Sequence, residues 1–200
     1  MVCESGGNAS PAARSRAVQL AKFGYAVFAA DLYGKGFSPK DAKEAALKAG
    51  HAANDRQLFR ARVRAAYAAM LKQPTVDGRR TAAVGYGLGG AAVLELARTG
   101  IEELQAAVVV HGDVSTTTPA DAKRIGAEVL VLVGSDDPVA TSAHLAAFDA
   151  EMRSGGVDWT VIRYGGVLGD FTNPQARDSR SGRAYDADAD RRAHEAVRAF

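Results

Sequence analysis

An apolar, strand-like run, Thr81-Ala-Ala-Val-Gly-Tyr86, enters a tight glycine turn, Gly87-Leu-Gly-Gly90, and passes straight into the helix-like stretch Ala91 to Arg98. This is the setting of a nucleophile elbow, written G-x-S-x-G or with cysteine at its centre, in which the central residue projects its side chain from a strained strand-to-helix turn. Gly87 stands at that centre and has no side chain to project. The scaffold and its chemistry therefore have to be argued separately.

The rest of the chain alternates in the same way. Short β-branched or apolar runs predict strands over Tyr25–Ala30, Thr81–Tyr86, Ala106–His111, Glu128–Val133 and Asp158–Arg163. Longer amphipathic runs predict helices over Pro11–Phe23, Asp55–Gln73, Ala91–Thr99, Ser142–Ser154 and Ala187–Phe200, the last with Ala193, Val197 and Phe200 on one face. Alternation of this kind favours a mostly parallel sheet with helices on both faces. At 200 residues, 47% hydrophobic and 24% charged, the chain is long enough for one sizeable core, and residues 1–200 read as a single domain without internal repeat or linker. Only Met1-Val2-Cys3 precedes the turn Glu4-Ser5-Gly6-Gly7-Asn8, whereas a buried strand usually has about five or six residues. These residues read as the tail of a strand, and the expected architecture is truncated at the N-terminus. Asn173 to Ala184, rich in Arg, Ser, Asp and Gly, is the most loop-like segment and reads either as a mobile cover or as a plain surface loop.

A net charge of +2 with both signs interspersed offers no basic stripe, which argues against nucleic acid and acidic membrane surfaces as partners. The single cysteine, Cys3, cannot form an internal disulfide, and no signal-peptide pattern is present, so a reducing cytoplasm is expected. No apolar run approaches the ~20 residues of a membrane span. The four histidines are scattered without ligand spacing, so neither a metal nor another cofactor is expected.

Three segments share one edge in a parallel sheet. Gly85-Tyr-Gly-Leu-Gly-Gly90 ends one strand, Val131-Leu-Val-Gly-Ser-Asp-Asp-Pro-Val139 ends a later one, and Tyr164-Gly-Gly-Val-Leu-Gly-Asp-Phe-Thr-Asn-Pro174 follows the last. All three lie at the carboxyl edge, where α/β sites are built. Their order is that of nucleophile, acid and histidine in α/β-hydrolases. Together with Ala29-Ala-Asp-Leu-Tyr-Gly-Lys-Gly36 and the ending Ala189-Asp-Arg-Arg-Ala193, they make the chain closely resemble the dienelactone hydrolase (carboxymethylenebutenolidase-like) family, from Cys3 to Phe200. The resemblance implies an α/β-hydrolase fold and hydrolysis of an enol-lactone or small carboxylic ester through an acyl-cysteine, without cofactor. The family elbow reads like G-Y-C-F-G-G, which puts its cysteine at Gly87. Its G-x-x-D-P turn puts the triad acid at Asp137, and its Y-G-G-x-x-H-x-F-T-N-P puts the histidine at Gly169. The backbone oxyanion donors fall on Leu88 and Ser5, and a family glutamate that meets the resting cysteine falls on Glu4. Tyr86, His111 and Asp170 complete the expected pocket.

Two of the three triad side chains are thus glycine. Covalent acyl chemistry needs a nucleophile and an adjacent base, and glycine supplies neither. Losses of this kind reach ~10⁶-fold in turnover elsewhere, about 8 kcal/mol, while the oxyanion hole and binding retain roughly 10³–10⁴-fold over water. Weak residual hydrolysis is compatible with that arithmetic, and proficient hydrolysis is not. The expected function is a family member with activity lost or severely weakened. The alternatives are a non-catalytic module that holds a small ester, lactone or carboxylate, or an incomplete or decayed copy of a hydrolase.

A substitute site would draw on Cys3, Ser5, Ser135 and Asp170, with a base in hydrogen-bond reach. Among the histidines, His51, His144 and His194 read as loop or helix-surface residues. His111, at a strand end on the same edge, is the best-placed base but reads as a structural histidine bonded to a loop backbone. Asp136 reads as a turn cap, and Asp137 as an unpaired carboxylate whose pKa rises on burial. Gly85-x-Gly-x-x-Gly90 also matches the dinucleotide fingerprint, but the acidic residue expected ~20 residues on is out of place.

Overall fold

The computed structural model describes residues 1–34, 37, 44, 47 and 55–200. Five parallel strands form one sheet in chain order: β1 (Val2–Glu4), β2 (Thr81–Tyr86), β3 (Leu104–Val110), β4 (Glu128–Gly134) and β5 (Trp159–Tyr164). Helices α1 (Pro11–Ala21), α2 (Arg56–Leu71), α3 (Leu88–Arg98), α4 (Ser142–Gly155) and α5 (Ala187–Ala199) cover it. The five predicted helices are all present within about two residues, apart from the start of α3, which begins directly after Gly87.

The helix starts explain that agreement. Ser10, Asp55, Thr141 and Asp186 each accept a backbone N–H of the first turn of their helix, satisfying donors that have no partner inside it. Gly156 closes α4 in the left-handed region. The expected strand Tyr25–Ala30 is shorter than predicted. It reduces to a bridge between Ala29 and Val2, closed by Val2 N–H to Phe28 O and Ala30 N–H to Val2 O. A strand needs a neighbour to pair with, and β1 offers only three residues. His51 lies outside the described residues, as does the Lys35-Gly36 end of the matching segment Ala29–Gly36.

Alternation along the strands sorts the core into two layers. Val84, Val108, Leu130, Leu132 and Phe171 face Ala189 and Ala193 of α5 and Ala17 and Leu20 of α1. Cys3, Ala83, Val109, Val131 and Val133 face α2, α3 and α4, where Val63, Tyr67, Leu94, Phe148 and Met152 are buried. Burying each of the larger side chains contributes roughly 1.5–3 kcal/mol. The chain leaves β1 through α1 toward Ala29 on one side and returns through α2 to β2 on the other. The strand order therefore reverses between β1 and β2, the crevice in which open α/β sheets place their ligands.

A buried ion network, unseen in the sequence, ties the second layer together. Arg98, 1% exposed, grips Glu151 of α4 through Nε (2.8 Å) and Nη2 (2.7 Å), Glu95 through Nη1 (2.8 Å) and the Val114 carbonyl through Nη2 (2.9 Å). Arg56 and Arg60 of α2 complete the shell around Glu95, and Arg60 continues to Asp121 (2.7 Å) in the 3₁₀ turn Pro119–Arg124.

Candidate active site

The strand–turn–helix expected as an elbow is built, around a residue with no side chain. Gly87 adopts φ 56° and ψ −120°, a conformation closed to ordinary side chains without strain. The surrounding glycines let α3 lie against the sheet. A Cβ on Gly89 would come 2.2 Å from the Cys3 carbonyl oxygen, and one on Gly85 would come 2.0 Å from the Gly89 carbonyl oxygen. Neither position tolerates a side chain without moving backbone.

At Gly87 the obstacle is different in kind. A Cβ there would meet the Ser5 hydroxyl at 2.4 Å and Asp170 Oδ1 at 3.9 Å. Ser5 Oγ accepts the Leu88 N–H at 2.8 Å and donates to the Tyr86 carbonyl at 3.0 Å. The hydroxyl of the β1–α1 loop thus stands in the space that a side chain at residue 87 would enter, on the amide expected as an oxyanion donor. The Tyr33 hydroxyl donates to the Ser5 carbonyl and fixes the loop from behind. The amides of Ser5 and Gly6 sit against the Glu4 carboxylate. Burial raises Glu4 to about 7, against the attraction of Arg16, with Asp170 pushing in the same direction as burial.

Asp137 is where the triad acid was expected, beside Gly169. A Cβ on Gly169 would lie 3.0–3.1 Å from its carboxylate, so the acid borders the space in which a histidine was expected. Asp137 Oδ1 accepts the Val139 N–H at 2.8 Å, while Oδ2 is buried without a partner. Burial raises its pKa, opposed by the Val139 and Ala140 amides and reinforced by Asp170. The Asn173–Ala184 segment is pinned to this point: Gly169 N–H donates to Gly182 O (2.8 Å) and Ala184 N–H to Gly169 O (3.1 Å). Its two-residue strands β6 (Arg177–Asp178) and β7 (Arg183–Ala184) form a small hairpin that the sequence pattern did not announce.

His111 and Asp170 are the two non-glycine residues with positive φ (41° and 54°) among those described. They face each other, Nδ1 to Oδ1 at 3.6 Å. His111 Nε2 is bonded to the Thr172 hydroxyl at 2.8 Å, so its partner is a loop side chain rather than the expected loop backbone. Burial lowers its pKa to about 4, which leaves the ring neutral, and Nδ1 has no hydrogen-bond partner.

Other expected residues turn away. Tyr86 belongs to the α1–α5 layer, its ring beneath the Arg16 guanidinium at 4.7 Å. Cys3 is fully buried in the opposite layer and its thiol is pushed up to about 12, which removes it as a nucleophile. Ser135 accepts the Gly166 N–H (2.7 Å) and donates to Asp136 (2.8 Å), joining two turns. Sequence reasoning missed Arg16 and Thr172. Arg16 Nη2 donates to the Thr172 carbonyl and pairs with Asp190 at 3.4 Å, and its position in α1 carries no motif. Among the described residues no group of three His, Cys, Asp or Glu side chains could hold a metal ion, and no helix is long and apolar enough to cross a membrane.

Comparison with known proteins agrees with this fold. The dienelactone hydrolase family profile matches residues 1–200. An uncharacterised protein of Caenorhabditis elegans is 32% identical over 146 residues, 70% of this chain and 89% of that protein. The crystal structure of a dienelactone hydrolase-like promiscuous phosphotriesterase from metagenomic libraries is 37% identical, with a TM-score of 0.90 over 99% of this chain and 82% of its own. The dienelactone hydrolase of Anabaena variabilis, 19% identical, shares the fold with a TM-score of 0.71 over 100% of this chain and 83% of its own.

Proposed function

Because the chain belongs to the dienelactone hydrolase family, we propose that it keeps the frame of an enol-lactone or small-ester hydrolase while its elbow no longer supports covalent turnover. One observation carries this reading: the point from which a nucleophile would project is taken by the Ser5 hydroxyl, which also occupies the Leu88 amide. The loss is thus twofold. An acyl-enzyme cannot form at residue 87, and one oxyanion donor is engaged in the resting chain. Gly169 removes the base that would activate water in the second half of the reaction.

The remaining charges bear on what the site accepts. Asp170 acts electrostatically on both Glu4 and Asp137 around the elbow, with Arg16 as counter-charge to Glu4 and Arg183 to Asp137. A neutral ester or lactone is therefore favoured over a free carboxylate as ligand. The test is hydrolysis of a dienelactone and a short nitrophenyl ester by the chain beside Gly87→Cys/Gly169→His, with and without Ser5→Gly. The double variant is expected to turn over at least about 100-fold faster than the original chain. Adding Ser5→Gly raises that further by freeing the Leu88 amide. Saturable turnover by the original chain at the rate of the variants would overturn the reading.

A further inference from the structure

We propose that Ser5 is an acyl acceptor, taking a single acyl group from an activated neutral ester and holding it, with Asp170 as the base that receives the hydroxyl proton. The proposal rests on the reading that residue 87 supplies no nucleophile, and adds that the loop hydroxyl has moved into its place.

Three observations carry it. Ser5 Oγ stands 2.4 Å from the point where an elbow Cβ would be, so a hydroxyl from the neighbouring loop reaches the space that a residue-87 side chain would enter. The first amide of α3 donates to that oxygen at 2.8 Å, and a helix N-terminus favours the negative charge that develops there as the proton leaves. Asp170 Oδ1 lies 3.9 Å from the same point and borders that space; the resting hydroxyl donates to the Tyr86 carbonyl at 3.0 Å, so it turns toward Asp170 before its proton transfers. Behind Asp170 stands His111, buried and bonded through Nε2 to Thr172, with Nδ1 lacking any hydrogen-bond partner 3.6 Å from Asp170 Oδ1. Buried polar atoms are rarely left unpaired. In the tautomer with Thr172 donating to Nε2, the ring proton sits on Nδ1, 3.6 Å from the carboxylate and short of a hydrogen bond to it. Both His111 and Asp170 hold positive φ angles, strain that side chains bear where the surrounding structure imposes it.

The step balances without another reactant. Ser5 Oγ attacks the carbonyl carbon of the ester and a new C–O bond forms. The ester's own C–O bond breaks, the leaving group departs with the electron pair, and the Oγ proton passes to Asp170. Release of the acyl group needs a water activated on its far side. His111 is tied to Thr172 and residue 169 has no imidazole, which leaves the weakly basic Asp170 as the base in place for water, so the ester on Ser5 forms faster than it is released. The outcome is stoichiometric acylation rather than turnover, on neutral esters with a good leaving group.

The experiment mixes the full chain with excess 4-nitrophenyl acetate and follows nitrophenolate, then maps the product by mass spectrometry. The expected result is a burst of about one equivalent and one acetyl group on Ser5. Ser5→Ala abolishes both, and Asp170→Asn slows the burst at least tenfold with unchanged thermal unfolding. Ser5→Cys supplies a second readout, because its thiol is alkylated by chloroacetamide in the native protein while buried Cys3 is not. No burst, acetylation elsewhere, or equal labelling of Ser5→Ala overturns the proposal. Steady hydrolysis that survives Ser5→Ala would instead overturn the reading of a turnover-deficient site, so the two fail separately.

Discussion

The two ends of α3 meet buried polar groups in opposite conditions. At its C-terminal end, Arg98, Glu95 and Glu151 pair with one another, and Arg56, Arg60 and Asp121 close the outer shell. At its N-terminal end, Asp137 Oδ2 and His111 Nδ1 are buried without hydrogen-bond partners, and Ser5 fills the elbow. A buried charge that is fully paired belongs to the architecture. One left unpaired marks a place arranged around a group that the chain itself does not supply. Removing a buried charge should therefore act with opposite sign at the two ends.

The largest effect is expected at the paired end. Arg98→Ala strands Glu151 and Glu95 inside the protein and should cost about 3–5 kcal/mol in chemical denaturation. A loss below about 1 kcal/mol would break the comparison. Next, Gly89→Ala should destabilise by about 3 kcal/mol, because its Cβ meets the Cys3 backbone at 2.2 Å. Gly87→Ala meets a hydroxyl that can rotate, and should show only the strain of φ 56°, about 1–2 kcal/mol. Equal costs at the two glycines would show that the elbow is packed as rigidly as the rest of α3.

Glu4 gives the pH signature of the unpaired end. Its folded pKa of about 7 lies above the usual 4.5, so between these values the native state holds a proton that the unfolded state has released. Stability is full below pH 4.5 and declines as pH rises toward 7, by on the order of 2 kcal/mol. Arg16 and the Ser5 and Gly6 amides oppose the shift while Asp170 adds to it, and Glu4→Gln should flatten the slope. A variant whose pH profile matches the original would assign the slope to another group. The smallest effect is expected from Asp137→Asn. It keeps an acceptor for the Val139 amide but removes an unpaired charge, and should raise stability at pH 7 by about 1 kcal/mol or less. A clear loss would show that Asp137 has a partner after all.

The sheet and its helices were legible because each signal is local. Ser10, Asp55, Thr141 and Asp186 stand where helices begin, and the apolar runs of β2 to β5 are bounded by polar turns. That Gly87, Asp137 and Gly169 would meet at one edge was legible for a related reason, since each ends or follows a strand and a parallel sheet brings such ends together. Tyr25–Ala30 was overread because strand formation depends on a neighbour's length. The ion network escaped notice because Arg98 and Glu151 are 53 residues apart, and nothing in either neighbourhood marks the other as its partner.

The sequence by itself determined the fold class, the position of the elbow and the absence of a nucleophile at Gly87, because periodicity, turn chemistry and the lack of a side chain are properties of the chain alone. Only the tertiary structure decided what stands against Gly87. Ser5 and Leu88 lie 83 positions apart and meet because β1 and β2 are neighbours in the sheet. That single contact, formed by packing and invisible to any pattern, puts a hydroxyl at an elbow that the sequence had left empty.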